Sequence, residues 1–289
     1  MKQFHYGGQA VIEGVMMRGA QSLAVSVRNP QGEIVTHSQP LEGHIYRGFI
    51  ARTPFLRGLT MLWDSLVLGV RALMFSADVA MSDQTEVSFS GPVAWGTMAT
   101  SLALGLGIFF LVPLFLVRLV DRFLPSSILS NLIEGVVRLA IFIGYLAIIG
   151  RMPDVRRVFA YHGAEHKTIN AYEAGAPLVP ESVEAYSTAH SRCGTGFVLL
   201  VLVIFVVLAS FLGRPALWLR VLSRIVLIPV VAGVAYEIIR FGANHPGQRI
   251  LGLLLAPGLW LQRLTTREPD RPMLEVAIAA LGKVLEAES

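Results

Sequence analysis

The sequence predicts a mainly α-helical, polytopic membrane protein with about four transmembrane helices arranged in two hairpins. Charged residues make up only 15% of the chain, and the mean hydropathy is +0.59. Soluble domains carry about a quarter charged residues, so this chain has too few to cover a water-facing surface. In addition, the chain contains apolar runs that reach the roughly 20 residues needed to cross a bilayer.

Residues 1–53 are not membrane-like and predict a small, glycine-rich cytoplasmic β region. From Leu23 to Val27 apolar residues alternate with small or polar ones, and Asn29-Pro30-Gln31-Gly32 follows as a turn. This pattern is typical of a β-hairpin. The glycine-punctuated segment at 7–19 predicts a further strand or a close approach of backbones.

Residues 54–83 predict one long amphipathic helix. Arg57, Asp64, Arg71 and Asp78 recur every seven residues among mostly apolar neighbours. A narrow charged stripe suits a helix that lies in the membrane interface. It suits equally well a buried helix of the cytoplasmic part, and the sequence leaves both placements open.

Residues 93–150 and 193–240 each predict a transmembrane hairpin. The two strongest spans are Thr97–Val117 and Cys193–Gly213, and the two weaker ones, which contain charged residues, are Ile128–Gly150 and Leu217–Ile239. Each is about the length of the hydrocarbon core.

The remaining segments flank these hairpins. Residues 151–192 form a cytoplasmic loop whose first half has helical spacing, and residues 241–289 form an interfacial segment followed by an amphipathic helix. Leu253–Gln262 is apolar but too short to span, which favours an interfacial or re-entrant placement. The apolar face of the last helix consists of Leu274, Ile278, Leu281 and Leu285.

The distribution of lysine and arginine predicts the orientation in a bacterial cytoplasmic membrane. Seven precede the first span, five lie in Arg151–Arg192 and six follow from Arg240 onward, whereas the two short connections hold three each. Both termini and the central loop are therefore expected in the cytoplasm. The start of the chain lacks the apolar core of a signal peptide. A basic face with interleaved aromatic residues is also missing, so nucleic acid is not an expected partner.

The segment AYHGAEHKTINAYEAG carries metal-site spacing. His162, Glu165 and His166 form an H-x-x-E-H pattern, and residues four apart lie on one helix face. Both imidazoles can then reach one zinc ion at about 2.0–2.1 Å, while Glu165 serves as the catalytic general base, as in inverzincins. The alternative is that the histidines solvate a helix surface and Glu165 forms an ordinary ion pair.

A second spacing supplies further candidate ligands. His190 and Cys193 form an H-x-x-C pattern at the same membrane boundary, and with the two histidines they would complete a tetrahedral set. Four protein ligands indicate a structural zinc, whereas three ligands and a water indicate catalysis. Glu173 lies about 16 Å along the helix from His162, out of reach of the same ion, so it is a candidate supporting residue.

Charges within the predicted spans need an explanation. Glu134 and Arg138 are four apart and form a favourable helical ion pair. They either face a cavity with a functional role or lie near the interface, with Arg138 snorkelling toward it. Glu237, near the cytoplasmic end of the fourth span, is a further candidate supporting residue.

Four segments spread over the chain resemble the YqhQ-like family of bacterial membrane proteins. They are GGQAVIEGVMMRG (Gly7–Gly19), YHGAEHKTINAYE (Tyr161–Glu173), HSRCGTGF (His190–Phe197) and PGLWLQRLTTREPD (Pro257–Asp270). The family is described as uncharacterised and carries the label of a predicted metal-dependent enzyme. The resemblance therefore implies an identity and a topology, without a substrate.

The family label implies a metal at His162, Glu165 and His166. The resemblance also draws attention to Glu13 and Arg18, because they are the charged members of the glycine-rich block. Both are candidate substrate-orienting or supporting residues.

Three functions are compatible with these features. The first is a metal-dependent hydrolase, with zinc as the expected divalent ion, that acts on a lipid or membrane-associated substrate. The second is a non-enzymatic scaffold or accessory factor whose polar cytoplasmic cap holds a structural zinc. The third is a transporter, which with four helices would have to oligomerise. The expected partners are the lipid bilayer and either another membrane protein or further copies of this chain.

Overall fold

The computed structural model describes residues 6–41, 49, 53–81, 92–213, 215–245 and 248–289. Within these ranges the chain is mainly helical, and its strands lie in the first 40 residues. The predicted class, mainly α with a small N-terminal β region, is therefore confirmed.

The N-terminal region is a four-stranded antiparallel meander. Its strands are β1 (Gly7–Val11), β2 (Gly14–Arg18), β3 (Ser22–Arg28) and β4 (Ile34–Pro40), paired in consecutive order. The predicted hairpin is β3–β4, whose turn contains Gly32 at a φ of +87°. The glycine-rich segment before it forms a second hairpin, β1–β2, because the chain reverses at Glu13 with a φ of +51°.

Eleven helical segments are described after the sheet. They are α1 (Gly58–Trp63), α2 (Gly69–Ala80), α3 (Pro92–Leu106), α4 (Val112–Val120), α5 (Ser127–Ile149), α6 (Pro153–Glu173), α7 (Pro180–Val183), α8 (Gly194–Ser210), α9 (Leu217–Asn244), α10 (Arg249–Thr265) and α11 (Arg271–Glu288). Single π-helical turns at Asp64–Leu68 and Gly107–Leu111 join α1 to α2 and α3 to α4.

Both faces of the sheet are covered by helices. Alternate residues of a strand point to opposite faces, so Met17 and Ala24 pack on α6 and α11, whereas Met16 and Val25 pack on α2. The first interface is the larger core, with Leu281 of α11 fully buried in it. The tail helix predicted from its apolar face thus completes the core of the β region.

Within the described part of the chain, three helices are long and apolar enough to cross a membrane. They are Trp95–Phe123, Ser127–Ile149 and Trp218–Gly242. The span predicted at Cys193–Gly213 corresponds to α8, an apolar helix of only 17 residues. At 1.5 Å per residue α8 is about 25 Å long, less than the roughly 30 Å of the hydrocarbon core. The helix begins directly after Cys193, which caps it, and it ends at Ser210, before the predicted end at Gly213.

The apolar helices pack as a bundle with two distinct ends. At one end the starts of α5 and α9 meet, where Asn131 donates a hydrogen bond to the Gly213 carbonyl at 3.0 Å and accepts one from Arg224 at 3.1 Å. At the other end α5 leads into α6, which packs on the sheet. The histidine motif and the membrane charges therefore lie at opposite ends of the bundle.

Candidate metal centre

Helix α6 carries the H-x-x-E-H motif on one face. The rings of His162 and His166 meet edge to face, with centroids 4.4 Å apart. Glu165 lies between them in sequence, and its Oε2 is 3.8 Å from Nε2 of His162. His166 and Glu165 are buried and His162 is nearly so, so the motif does not form a solvated helix surface.

Backbone carbonyls orient both histidine rings. Nδ1 of His162 lies 2.8 Å from the Thr265 carbonyl oxygen, and Nδ1 of His166 lies 2.6 Å from the Thr188 carbonyl oxygen. A carbonyl oxygen only accepts, so each Nδ1 carries a proton and each Nε2 is left with a free lone pair. This tautomer is the one that metal-binding histidines adopt when their other nitrogen is anchored.

Cys193 brings a sulfur to the same place from the start of α8. Its Sγ lies 3.3 Å from Nε2 of His162 and accepts a hydrogen bond from the Thr195 backbone N–H, also at 3.3 Å. The N-terminal end of a helix carries a partial positive charge, which suits an electron-rich sulfur ligand at this position. Cys193 is buried, which suits a ligand rather than a surface thiol.

The three side chains fit a divalent ion. Ligand atoms of His162, His166 and Cys193 all lie within 4.8 Å of one another. Ligands at about 2.0–2.3 Å from a tetrahedral zinc are spaced by roughly 3.5 Å, which small side-chain movements achieve here. Nε2 of His166 is buried and has no hydrogen-bond partner among the described residues. A buried acceptor without a partner is costly, and a metal ion would satisfy it.

Glu165 is held against the sheet by a glycine. The backbone N–H of Gly8 in β1 donates a hydrogen bond to its carboxylate. A Cβ at Gly8 would lie 2.9 Å from Cγ of Glu165, so only glycine permits this approach. Burial raises the pKa of Glu165 to about 7, although the neighbouring His162 and the Gly8 hydrogen bond act in the opposite direction.

A second glycine, Gly163, brings the anchoring carbonyl to His162. A Cβ at Gly163 would lie 2.0 Å from the Arg267 carbonyl oxygen. The N–H of Arg267 donates to the Phe159 carbonyl at 2.9 Å, which fixes this segment along α6. The close contact is what allows Thr265, two residues earlier, to reach Nδ1 of His162.

His190 lies beside the three-ligand group. Its ring centroid is 5.6 Å from that of His166, and its Nε2 is 3.7 Å from Oε2 of Glu173. Burial lowers the pKa of His190, against the effect of the neighbouring Glu173 carboxylate. Burial of Glu173 acts to raise its pKa, but His190 and Arg192 outweigh that effect and lower it. The assignment of His190 as a fourth ligand stays a prediction.

The chain around His190 is fixed by Gln262 of α10. The Gln262 amide accepts from the His190 N–H and donates to the His190 carbonyl, both at 2.9 Å. This pair of hydrogen bonds holds the H-x-x-C segment against α10.

The other predicted supporting residues lie elsewhere. Glu13 pairs with Arg157 through two hydrogen bonds of 2.6 and 2.5 Å. Arg18 ends β2, opposite Gly7 in the register. Glu237 accepts a 2.6 Å hydrogen bond from Nε of Arg57. Their assignment as substrate-orienting residues stays a prediction.

Sequence reasoning did not identify the groups that anchor the histidines. The Thr188 and Thr265 contacts use backbone carbonyls, which no residue type reveals. Gln262 lies in the segment PGLWLQRLTTREPD, which carried part of the family resemblance, and that was the one signal available for it.

Comparison with known proteins gives one family and one close relative. A family described as "Protein of unknown function (DUF1385)" matches residues 53–287. The "Uncharacterized protein YqhQ" of Bacillus subtilis (strain 168) is 34% identical over 299 aligned positions, which cover 98% of this chain and 93% of the relative. No solved structure matches the chain.

Proposed function

This chain belongs to the DUF1385 family of proteins of unknown function, and we propose that it is a membrane-embedded, zinc-dependent hydrolase. The observation that carries the proposal is the grouping of His162, His166 and Cys193 around one point, with the Glu165 carboxylate 3.8 Å from Nε2 of His162. Three protein ligands with a carboxylate beside them are the usual composition of a catalytic zinc site.

The residues divide into binding and proton-transfer roles. His162 and His166 would hold the ion through Nε2, and Cys193 would hold it as a thiolate. The chemistry that zinc supplies in such a site is Lewis acidity toward water and toward a carbonyl or phosphoryl oxygen. Glu165 accepts a proton from the attacking water and returns it to the leaving group. Its pKa of about 7, raised by burial, suits a group that must do both near neutral pH.

An apolar cleft supports a lipid or other membrane-associated substrate. The cleft has a volume of about 150 Å³ and lies between α8, α9 and α10. Its lining includes Ser191 and Gly196, on either side of Cys193 in sequence, and Gln262, which holds His190. The rest of the lining is largely leucine from the apolar helices. A substrate with a hydrocarbon chain would reach the metal group from the bilayer through this cleft.

We also propose that α8 is a fourth span. With four crossings, the sheet and α11 would lie on the same side of the membrane as the central loop, which contains α6. The excess of lysine and arginine in these segments supports the cytoplasm as that side. A helix about 5 Å shorter than the hydrocarbon core is accommodated by local thinning of the bilayer at modest cost.

Metal content tests the proposal directly. The detergent-solubilised protein is expected to contain about one zinc ion per chain, and a His162→Ala/His166→Ala variant to contain none. Glu165→Gln should keep the zinc, because the carboxylate is assigned to proton transfer. The measurement is elemental analysis beside thermal unfolding. A protein without metal after incubation with zinc, or a double variant that retains it, would contradict the proposal.

The alternative function is a non-enzymatic scaffold with a structural zinc. It is supported by Nε2 of His190, which is buried and lacks a hydrogen-bond partner in the described part of the chain. A modest rotation of this ring toward His166 would supply a fourth protein ligand and close the site.

The two functions differ in whether one coordination position is open. In Co²⁺-substituted protein, added acetohydroxamate should change the visible absorption spectrum, because an open position accepts it. His190→Ala should retain the metal and the same response, while Cys193→Ser should lose the sulfur-to-cobalt charge-transfer band. An unresponsive spectrum, together with loss of metal in His190→Ala, would favour the structural site.

A further inference from the structure

A buried cluster at the far end of the bundle carries more positive than negative charge. Its members are Glu134 and Arg138 of α5, Arg220 and Arg224 of α9, and Asp121, which follows α4. The first four are almost completely buried, whereas the Asp121 side chain is 20% exposed. Among the described residues, three guanidinium groups therefore face two carboxylates.

One carboxylate serves all three arginines. Oε1 of Glu134 accepts from Arg138 at 2.8 Å, and Oε2 accepts from Arg220 at 2.8 Å. Arg224 reaches the same Oε2 only at 3.4 Å. It also donates to Oδ1 of Asn131, which it shares with Arg220. Of the three arginines, Arg224 is therefore the one least compensated by the Glu134 carboxylate.

The hydrogen bonds leave several buried donors unused. Nε of Arg220, and Nε and Nη1 of Arg224, have no partner in the part of the chain that the structure describes. Arg138 differs, because its Nε donates to the Phe109 carbonyl at 3.0 Å. The unused donors are therefore confined to the two arginines of α9.

We propose that Arg220 and Arg224 form a binding site for a phosphate group. A buried guanidinium without a counter-ion is costly, and its planar fork of donors matches the oxygens of a phosphate. One phosphodiester would balance the single uncompensated charge and accept the unused hydrogen bonds. Arg224 lies about 10 Å from the start of α9, within reach of a lipid headgroup drawn into the bundle. Both a phospholipid and free phosphate offer this chemistry.

Thermal unfolding of the delipidated full chain in a neutral detergent tests the site. At constant ionic strength, dioleoylphosphatidylglycerol or inorganic phosphate should raise the melting temperature, and dioleoylglycerol, which lacks a phosphate, should not. A rise with the phospholipid alone identifies a lipid headgroup as the ligand, and a rise with inorganic phosphate identifies the free ion. No rise with either compound, or an equal rise with dioleoylglycerol, would overturn the proposal.

A variant of Arg224 tests whether the rise in melting temperature depends on this residue. In Arg224→Gln, about tenfold or more ligand should be needed to raise the melting temperature by the same amount as in the wild type. Without ligand, its melting temperature should not fall below that of the wild type, because an unsatisfied buried charge is removed. Arg122→Gln, an exposed arginine in the segment that follows α4, is the control and should respond fully.

Arg224→Lys is a second variant that still tests the site if Arg224→Gln fails to fold. It keeps the charge but loses the planar fork, so its response should be weaker than that of the wild type. A full response in either Arg224 variant would exclude Arg224 from the site.

Discussion

Replacing Glu134 by glutamine is expected to lower the free energy of unfolding by about 3–5 kcal/mol. The Glu134 carboxylate is 2% exposed and accepts hydrogen bonds from Arg138, Arg220 and Arg224. The glutamine side chain has one oxygen and one amide nitrogen, so its N–H groups would face a guanidinium and its charge would be absent. Denaturant or thermal unfolding in phosphate-free detergent measures the loss.

A double variant separates charge from packing. In Glu134→Gln/Arg224→Gln one fewer guanidinium is left uncompensated, so the protein should be more stable than Glu134→Gln alone. Asp121→Asn is the matched control, because Asp121 is more exposed and contacts Arg220 only at 3.6 Å. A Glu134→Gln protein as stable as the wild type would mean that the charges are compensated in some other way.

The second large effect is expected from Gly163→Ala, which should cost about 2–4 kcal/mol of folding free energy. The new Cβ would lie 2.0 Å from the Arg267 carbonyl oxygen, and a backbone atom cannot rotate away as a side chain does. The segment must move off α6 and lose the hydrogen bond from Arg267 to Phe159.

The same substitution is expected to weaken zinc binding by about 10–100-fold. The displaced segment includes Thr265, whose carbonyl orients the ring of His162 at 2.8 Å. A titration of the metal-free variant with zinc measures this effect separately from stability.

Gly282→Ala in α11 is the control for both measurements. A Cβ at Gly282 meets no atom within 4 Å, so alanine should be neutral or stabilise the helix by up to about 1 kcal/mol. If Gly163→Ala is as stable as Gly282→Ala and binds zinc like the wild type, the close contact does not position the site.

Local signals predicted the parts of the fold that depend on local structure. The β3–β4 hairpin followed from the alternation at Leu23–Val27 and from the turn at 29–32. For the segment at 7–19 the sequence offered a strand or a close backbone approach, and Gly8 is found in both roles. The length of α8 was not predictable from hydropathy, because the apolar run continues beyond Ser210, where the helix ends.

In the candidate site, too, the sequence predicted the parts that depend on local spacing and missed the contacts between distant segments. Spacing identified the residues of α6 and the H-x-x-C segment, since both patterns are short. Glu173 was excluded as a ligand by its distance along α6, yet it lies 3.7 Å from His190 because the following loop folds back. The anchoring carbonyls and the Gln262 contacts depend on how distant segments pack, which a single sequence does not contain.

The position of α11 in the chain has a consequence for biosynthesis. The sheet is complete at Pro40, but the helix that covers its larger apolar face ends at Glu288, whose carboxylate binds the N–H groups of Gln21 and Ser22. At about 5–20 residues per second, a ribosome needs roughly 12–50 s to add the intervening chain. During that time the apolar helices are synthesised, while the larger core of the sheet still lacks α11. The larger core of the β region therefore cannot be completed until α11 has been synthesised.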